Sequence, residues 1–233
     1  MVRAILEGRK TQTRRAIRKQ FAPDAEPEEV AATSPEGWQI SGHSGLWWDD
    51  AGACIDDAIR CPYGQPGDRL WVRETWRIGA WDESRGAVAI DYKADGYCRR
   101  DWIEIGYGDD GAKFEHYWIQ CTDDADKAGI RLDENGEYKW EPGQSPCRYR
   151  PSIHMPRWAS RINLEIVAVR VERLQDISEA DARAEGAPFE LGELERLILG
   201  AKAKYRSGFV RLWQSINGEQ SWHANPWVWV VEF

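Results

Sequence analysis

No stretch of this 233-residue sequence approaches the roughly 18 consecutive apolar residues that a membrane-crossing helix needs. No secretory leader is expected either. The opening "MVRAILEGRK" turns charged after six residues and has no small-residue cleavage site. A cytoplasmic protein with no membrane partner is the expectation. Cysteine is sparse and unpatterned: Cys54, Cys61, Cys98, Cys121 and Cys147 are odd in number, widely spaced and contain no CxxC pair. That excludes a disulfide framework or a structural zinc site and predicts free thiols. Positive charge is the minority sign, 31 Lys and Arg against 39 Asp and Glu, for a net charge of −8. Bulk attraction to nucleic acid is thereby excluded, but a local basic groove is not, because fields follow where charges sit.

The charges that are present are segregated. Seven of the first 19 residues are basic (Arg3, Arg9, Lys10, Arg14, Arg15, Arg18, Lys19), opposed only by Glu7. From Phe21 to Ile59 there are nine acids and no Lys or Arg. The stretch "RYRPSIHMPRWASR", residues 148–161, carries Arg148, Arg150, Arg157 and Arg161 and no acid. Two basic segments therefore stand out from an acidic body, and together they would form a polyanion-binding face. Tryptophan is abundant at 14 residues. Trp71 and Trp229 lie in strand-like runs and are expected in the core, whereas Trp158, among arginines, is placed to stack on a base.

Along the chain, Val2–Glu7 reads as a short helix stopped by Gly8, and "KTQTR" as extended. Residues 22–60 and 80–147 are rich in Gly, Asp and turn signals and read as insertions, the second with hairpin strands at "AVAIDYKA" and "HYWIQC". A strand follows the "GD" turn through Leu70 and Val72, and "INLEIVAVRVERL" from Ile162 to Leu174 reads as one long strand. Ser178 is the expected N-cap of a helix with Asp181 three residues on and Gly186 as its stop. Two further helical patterns cover 193–204 and 207–216, and "PWVWVVEF" forms a last strand. The order strands, helices, strand is α+β, in one domain over 1–233.

Gly8, Lys10, Thr13 and Arg15 have the spacing G-x-K-x-x-T-x-R. With the "GD" turn at Gly67-Asp68, the strand ending at Leu174, Glu185 before Gly186 and the final "VWVVEF", the chain resembles the ASCH family of the PUA-like superfamily. The resemblance covers about half of the chain, near 1–20, 61–78, 150–186 and 205–233, and is nearest to the longer phage and prophage types. It implies a mixed β-barrel flanked by helices with long loop or hairpin insertions, and a function in handling nucleic acids or modified nucleosides. Among similar proteins are amidohydrolases of N(4)-acetylcytidine. By position, their lysine, threonine and glutamate fall on Lys10, Thr13 and Glu185. The resemblance makes Thr13 the nucleophile, Lys10 its base or an oxyanion stabiliser, and Glu185 the proton shuttle to the leaving amine or the base that activates the hydrolytic water.

Arg9, Arg15, Glu74, Arg157 and Trp158 are the expected substrate-binding residues, the arginines for phosphate and Trp158 for the base. No cofactor or metal is implied. The partner would be a modified nucleoside or single-stranded nucleic acid. Two alternatives compete: a non-catalytic module reading modified or single-stranded RNA or DNA, and a metal-assisted ribonuclease for which His154 would be an acid or base.

Overall fold

A computed structural model describes residues 1–18, 20, 25–28, 39–42, 61–106, 112–189 and 205–233. The chain is mixed α+β and divides into two compact units. The first comprises Met1, Arg3–Leu70 and Leu164–Phe233; the second comprises Trp71–Asn163, with Val2 grouped to it. The sheets whose register is defined are antiparallel, and no closed barrel forms among the described residues. Among these residues the barrel expected from the family resemblance is therefore not closed. The insertion expected at 80–147 lies inside the second unit. The expected helix over 193–204 and most of the 22–60 segment lie outside the described residues, apart from strands β2 (Ala25–Glu28) and β3 (Gln39–Gly42), which pair antiparallel.

In the first unit, helix α1 (Val2–Leu6) leads to strand β1 (Gln12–Ala16). Strand β10 (Trp227–Glu232) lies between β1 and β9 (Ala168–Arg173). Its sequence, WVWVVE, is buried on both faces, as a central strand covered above and below must be. Successive side chains alternate faces. Trp227, Trp229 and Val231 pack with Ile17, Ile166, Val169 and Val171. Val228 and Val230 pack with Leu174, Ile177, Ala182, Phe209 and Trp213, beneath α3 (Glu179–Ala184) and α4 (Tyr205–Asn217). Ser178 caps α3 with Asp181, as the sequence predicts.

The long strand expected over 162–174 is instead divided into β8 (Asn163–Glu165) and β9. The break falls where the backbone changes partner: Ile166 N–H donates to Asp68 O, and Val167 N–H to Glu232 O. Strand β4 (Arg69–Trp71), which pairs with β8, stops before Val72.

The second unit is built on β5 (Trp76–Asp82), β6 (Ala87–Tyr92) and β7 (Cys98–Glu104), with β6 central and wholly buried. The one charge in β6, Asp91, is paired with Arg77 at 3.2 Å, which offsets the cost of burying it. "HYWIQC", expected as a strand, is part of helix α2 (Ala112–Lys127). Phe114, Tyr117, Trp118 and Cys121 recur at helical spacing and pack against Trp76, Ile78 and Ile90. Among the described residues Cys61, Cys98, Cys121 and Cys147 form no disulfide with one another.

Candidate functional site

Two helix ends build the site. Helix α1 closes in a Schellman turn: Arg9 N–H bonds Ala4 O at 2.8 Å and Gly8 N–H bonds Ile5 O at 2.9 Å, with Gly8 at φ +67°. Helix α3 closes in the same way, Ala187 N–H to Ala182 O and Gly186 N–H to Arg183 O. Gly186 has φ +72°, and a Cβ there would lie 3.0 Å from Lys10 Cβ and 3.1 Å from Ala4 Cβ. Glycine is thus required both by backbone conformation and by close approach. The two turns bring Lys10 against Glu185.

The Lys10 ammonium is buried and donates to three acceptors: Gln12 O at 2.8 Å, Glu185 O at 2.9 Å and Glu185 Oε2 at 2.8 Å. The carbonyl of Glu185 caps α3, so a cation there also meets the negative end of the helix. Burial pushes the lysine pKa below its ordinary value; Glu185 opposes this shift, and Arg15 and Arg14 add to it.

On β1, Gln12 and Arg14 share one face. Arg14 has no exposed side-chain surface and lies 2.9 Å from Glu172, 3.4 Å from Glu185 and 3.6 Å from Asp181. Gln12 bonds the Asp181 backbone and carboxylate. Asp181, in spite of partial burial, is held below the usual carboxylate range by Ser178, Arg14 and Gln12.

A cavity of about 60 Å³ adjoins this cluster, lined by Lys10, Thr13, Arg14 and Glu185 from below and by Phe209 and Trp213 of α4 above. Two buried donors on its lining residues, Arg14 Nε and Trp213 Nε1, have no hydrogen-bond partner among the described residues. Trp76 Nε1 and Arg150 Nη1 are buried in the same state elsewhere.

The expected site residues divide between the units. Lys10 and Glu185 come together. Thr13 and Arg15 line the same cavity, but Thr13 is one residue out of phase with Gln12 and Arg14. Its register partner is Val231, on the sheet face that packs with Val169 and Val171, and its hydroxyl bonds neither Lys10 nor Glu185. Arg9 is exposed and pairs with Glu7.

Glu74, Arg157, Trp158 and His154 belong to the second unit. Glu74 is buried and receives two bonds of 2.9 Å from Arg161, which also grips Asp95. Trp158 is half-buried, edge-on to Trp76 and Tyr117. Arg157 is exposed and bonds Asn163, and His154 is exposed in a one-turn 3-10 helix. The 148–161 stretch has no acid in sequence, yet Glu74 and Asp95 neutralise Arg161 in space, and Arg150 is turned onto Trp76, Tyr117 and Gln120.

Sequence reasoning missed Arg14, Asp181 and Trp213. The period-two spacing of Lys10, Gln12 and Arg14 was the available signal for Arg14. Among the described residues no group of three His, Cys, Asp or Glu is arranged to hold a metal ion. Compared with family models, curated proteins and solved structures, the chain matches none.

Proposed function

We propose that the first unit is an ASCH-type domain that binds a modified nucleoside or single-stranded nucleic acid and hydrolyses an N-acyl group on a pyrimidine such as N(4)-acetylcytidine. The observation that carries this is the buried acid–base pair, Lys10 and Glu185 at 2.8 Å, on the lining of a small cavity that Thr13 also lines. At about 60 Å³ the cavity holds roughly two waters, the size of a short acyl group and not of a nucleoside. Transfer of the Lys10 proton to Glu185 leaves a neutral amine able to take a proton from the nucleophile. Protonated Glu185 then delivers that proton to the departing cytosine amine. A lysine whose pKa is lowered by burial suits the first role. If the nucleophile is Thr13, an acyl-threonine forms and water cleaves it; if it is water, the carboxylic acid leaves in one step.

A second possibility, a module that binds without catalysis, is favoured by one feature: each ammonium hydrogen of Lys10 already has an acceptor. Incubation with N(4)-acetylcytidine, following cytidine release, separates the two. Turnover lost in Glu185→Gln and Lys10→Met supports the hydrolase. Loss in Thr13→Ala assigns the nucleophile to Thr13, and retained activity assigns it to water. Binding of intact substrate with no release supports the module, and neither binding nor release refutes both.

A further inference from the structure

The second unit contains an open cleft of about 1230 Å³, larger than the ~300–1,000 Å³ usual for small-molecule sites. Five aromatic side chains line it: Trp81, Trp102, Trp118, Tyr138 and Trp140. The rings meet at steep angles rather than in a stack. Trp81 and Trp140 have centroids 5.2 Å apart at 57°, and Trp81 and Tyr138 are 5.9 Å apart at 63°. Trp140 is fixed by its indole N–H, which donates to Gly79 O at 2.7 Å. Tyr138 is fixed by its hydroxyl, which donates to Asp126 at 2.7 Å.

Elsewhere in this unit aromatic faces are occupied by the protein's own cations. Arg73 and Arg157 lie over Trp71, Arg77 over Tyr149, Arg150 over Trp76 and Tyr117, and Arg161 over Tyr92 and Tyr97. Among the described residues, none of the five cleft rings carries such a cation. The charge of the lining is also predominantly negative. Asp82, Glu83 and Glu137 contribute carboxylates, and Asp82 is held below the usual range chiefly by its bond from Ser84. The one lining cation, Lys139, is already paired with Asp133 and Glu137. Aromatic faces attract cations through the ring quadrupole, and carboxylates at the rim add attraction for cations and repel polyanions. Tryptophan and tyrosine are also the residues that anchor protein interfaces.

We infer that this cleft binds a basic peptide segment of a partner protein, its arginine or lysine side chains lying against the ring surfaces that line the cleft and its neighbouring charges meeting Asp82, Glu83 and Glu137. The cleft is too large and open for a lone small cation, and its charge is wrong for nucleic acid. It is independent of the Lys10–Glu185 site.

Titration of the full chain with acetylated hexa-arginine, followed by tryptophan fluorescence and calorimetry, tests this. Micromolar to sub-millimolar binding that weakens as salt rises is expected, with none detectable for hexa-serine. Trp102→Ala, at an exposed ring, should weaken it about five-fold or more with an unchanged circular dichroism spectrum, as should the double variant Asp82→Asn/Glu83→Gln. Trp140→Ala should weaken it further, with circular dichroism reporting whether its structural bond is also needed. Hexa-arginine binding no better than hexa-serine overturns the inference. So does binding indifferent to Trp102 and to the acids, or preferential binding of an RNA oligonucleotide or a neutral oligosaccharide that Trp102→Ala abolishes.

Discussion

At the scale of single residues, the site turns on one buried ion pair whose cost and use are linked. Removing one partner of a buried pair strands the other charge, at about 3–5 kcal/mol, whereas removing both can be nearly neutral. Lys10→Met and Glu185→Gln should each lower stability by an amount of that order in urea denaturation. The double variant should lose much less than their sum. Additive losses below about 1 kcal/mol would show that the pair is not a coupled unit. The pH dependence has a definite sign. The folded lysine binds its proton less tightly than the unfolded one, whose pKa is 10.5. Its contribution therefore becomes more favourable to folding as pH rises from the folded pKa toward 10.5. The stability difference between wild type and Lys10→Met should shift toward wild type across that window. The same depression places the falling limb of turnover, where the pair loses the proton that Glu185 must deliver, below pH 10.5.

Secondary-structure elements were legible wherever local chemistry and tertiary packing agree. Helix α3 shows both: Ser178, Asp181 and Gly186 give its start and stop in sequence, and the observed caps are the same residues. Helix α2 fails that test. Its "HYWIQC" core is rich in β-formers, and its helical period emerges only when Phe114 and Ala125, both buried, are counted with Tyr117, Trp118 and Cys121. The split between β8 and β9 had no local signal at all, because it depends on which strand lies alongside. Helix α4 offers a test of the same point. A helical glycine replaced by alanine normally gains about 0.5–1 kcal/mol. At Gly208 an added Cβ would fall 2.0 Å from Pro188 O, so the backbone of one segment must move. Gly208→Ala should therefore lose about 1–3 kcal/mol, the range for overpacking. A thermal midpoint equal to or above wild type would show that 188 and 208 are not held at this approach.

On the scale of the whole molecule, composition concealed where charge is spent. The basic start of the chain reads as a polyanion face, yet Lys10 and Arg14 are consumed by Glu185, Glu172 and Asp181. Likewise Arg161 is consumed by Glu74 and Asp95. Their carboxylate partners are remote in sequence, so no window of the chain could reveal the neutralisation. The division into units was concealed in the same way, since the first is assembled from the two ends of the chain. That assembly predicts an experiment. The chain leaves the first unit at Leu70 and returns at Leu164. Just before and after these points Gly67 N–H bonds Ile166 O and Ile166 N–H bonds Asp68 O, each at 2.8 Å. Paired strands lie only ~4.8 Å apart, so a short turn can join them at small entropic cost. Replacing 71–163 with four Gly/Ser residues should leave a first unit that unfolds cooperatively in urea. It should bind N(4)-acetylcytidine as the full chain does and lose all affinity for hexa-arginine. A product without a cooperative transition would show that the first unit does not fold on its own core.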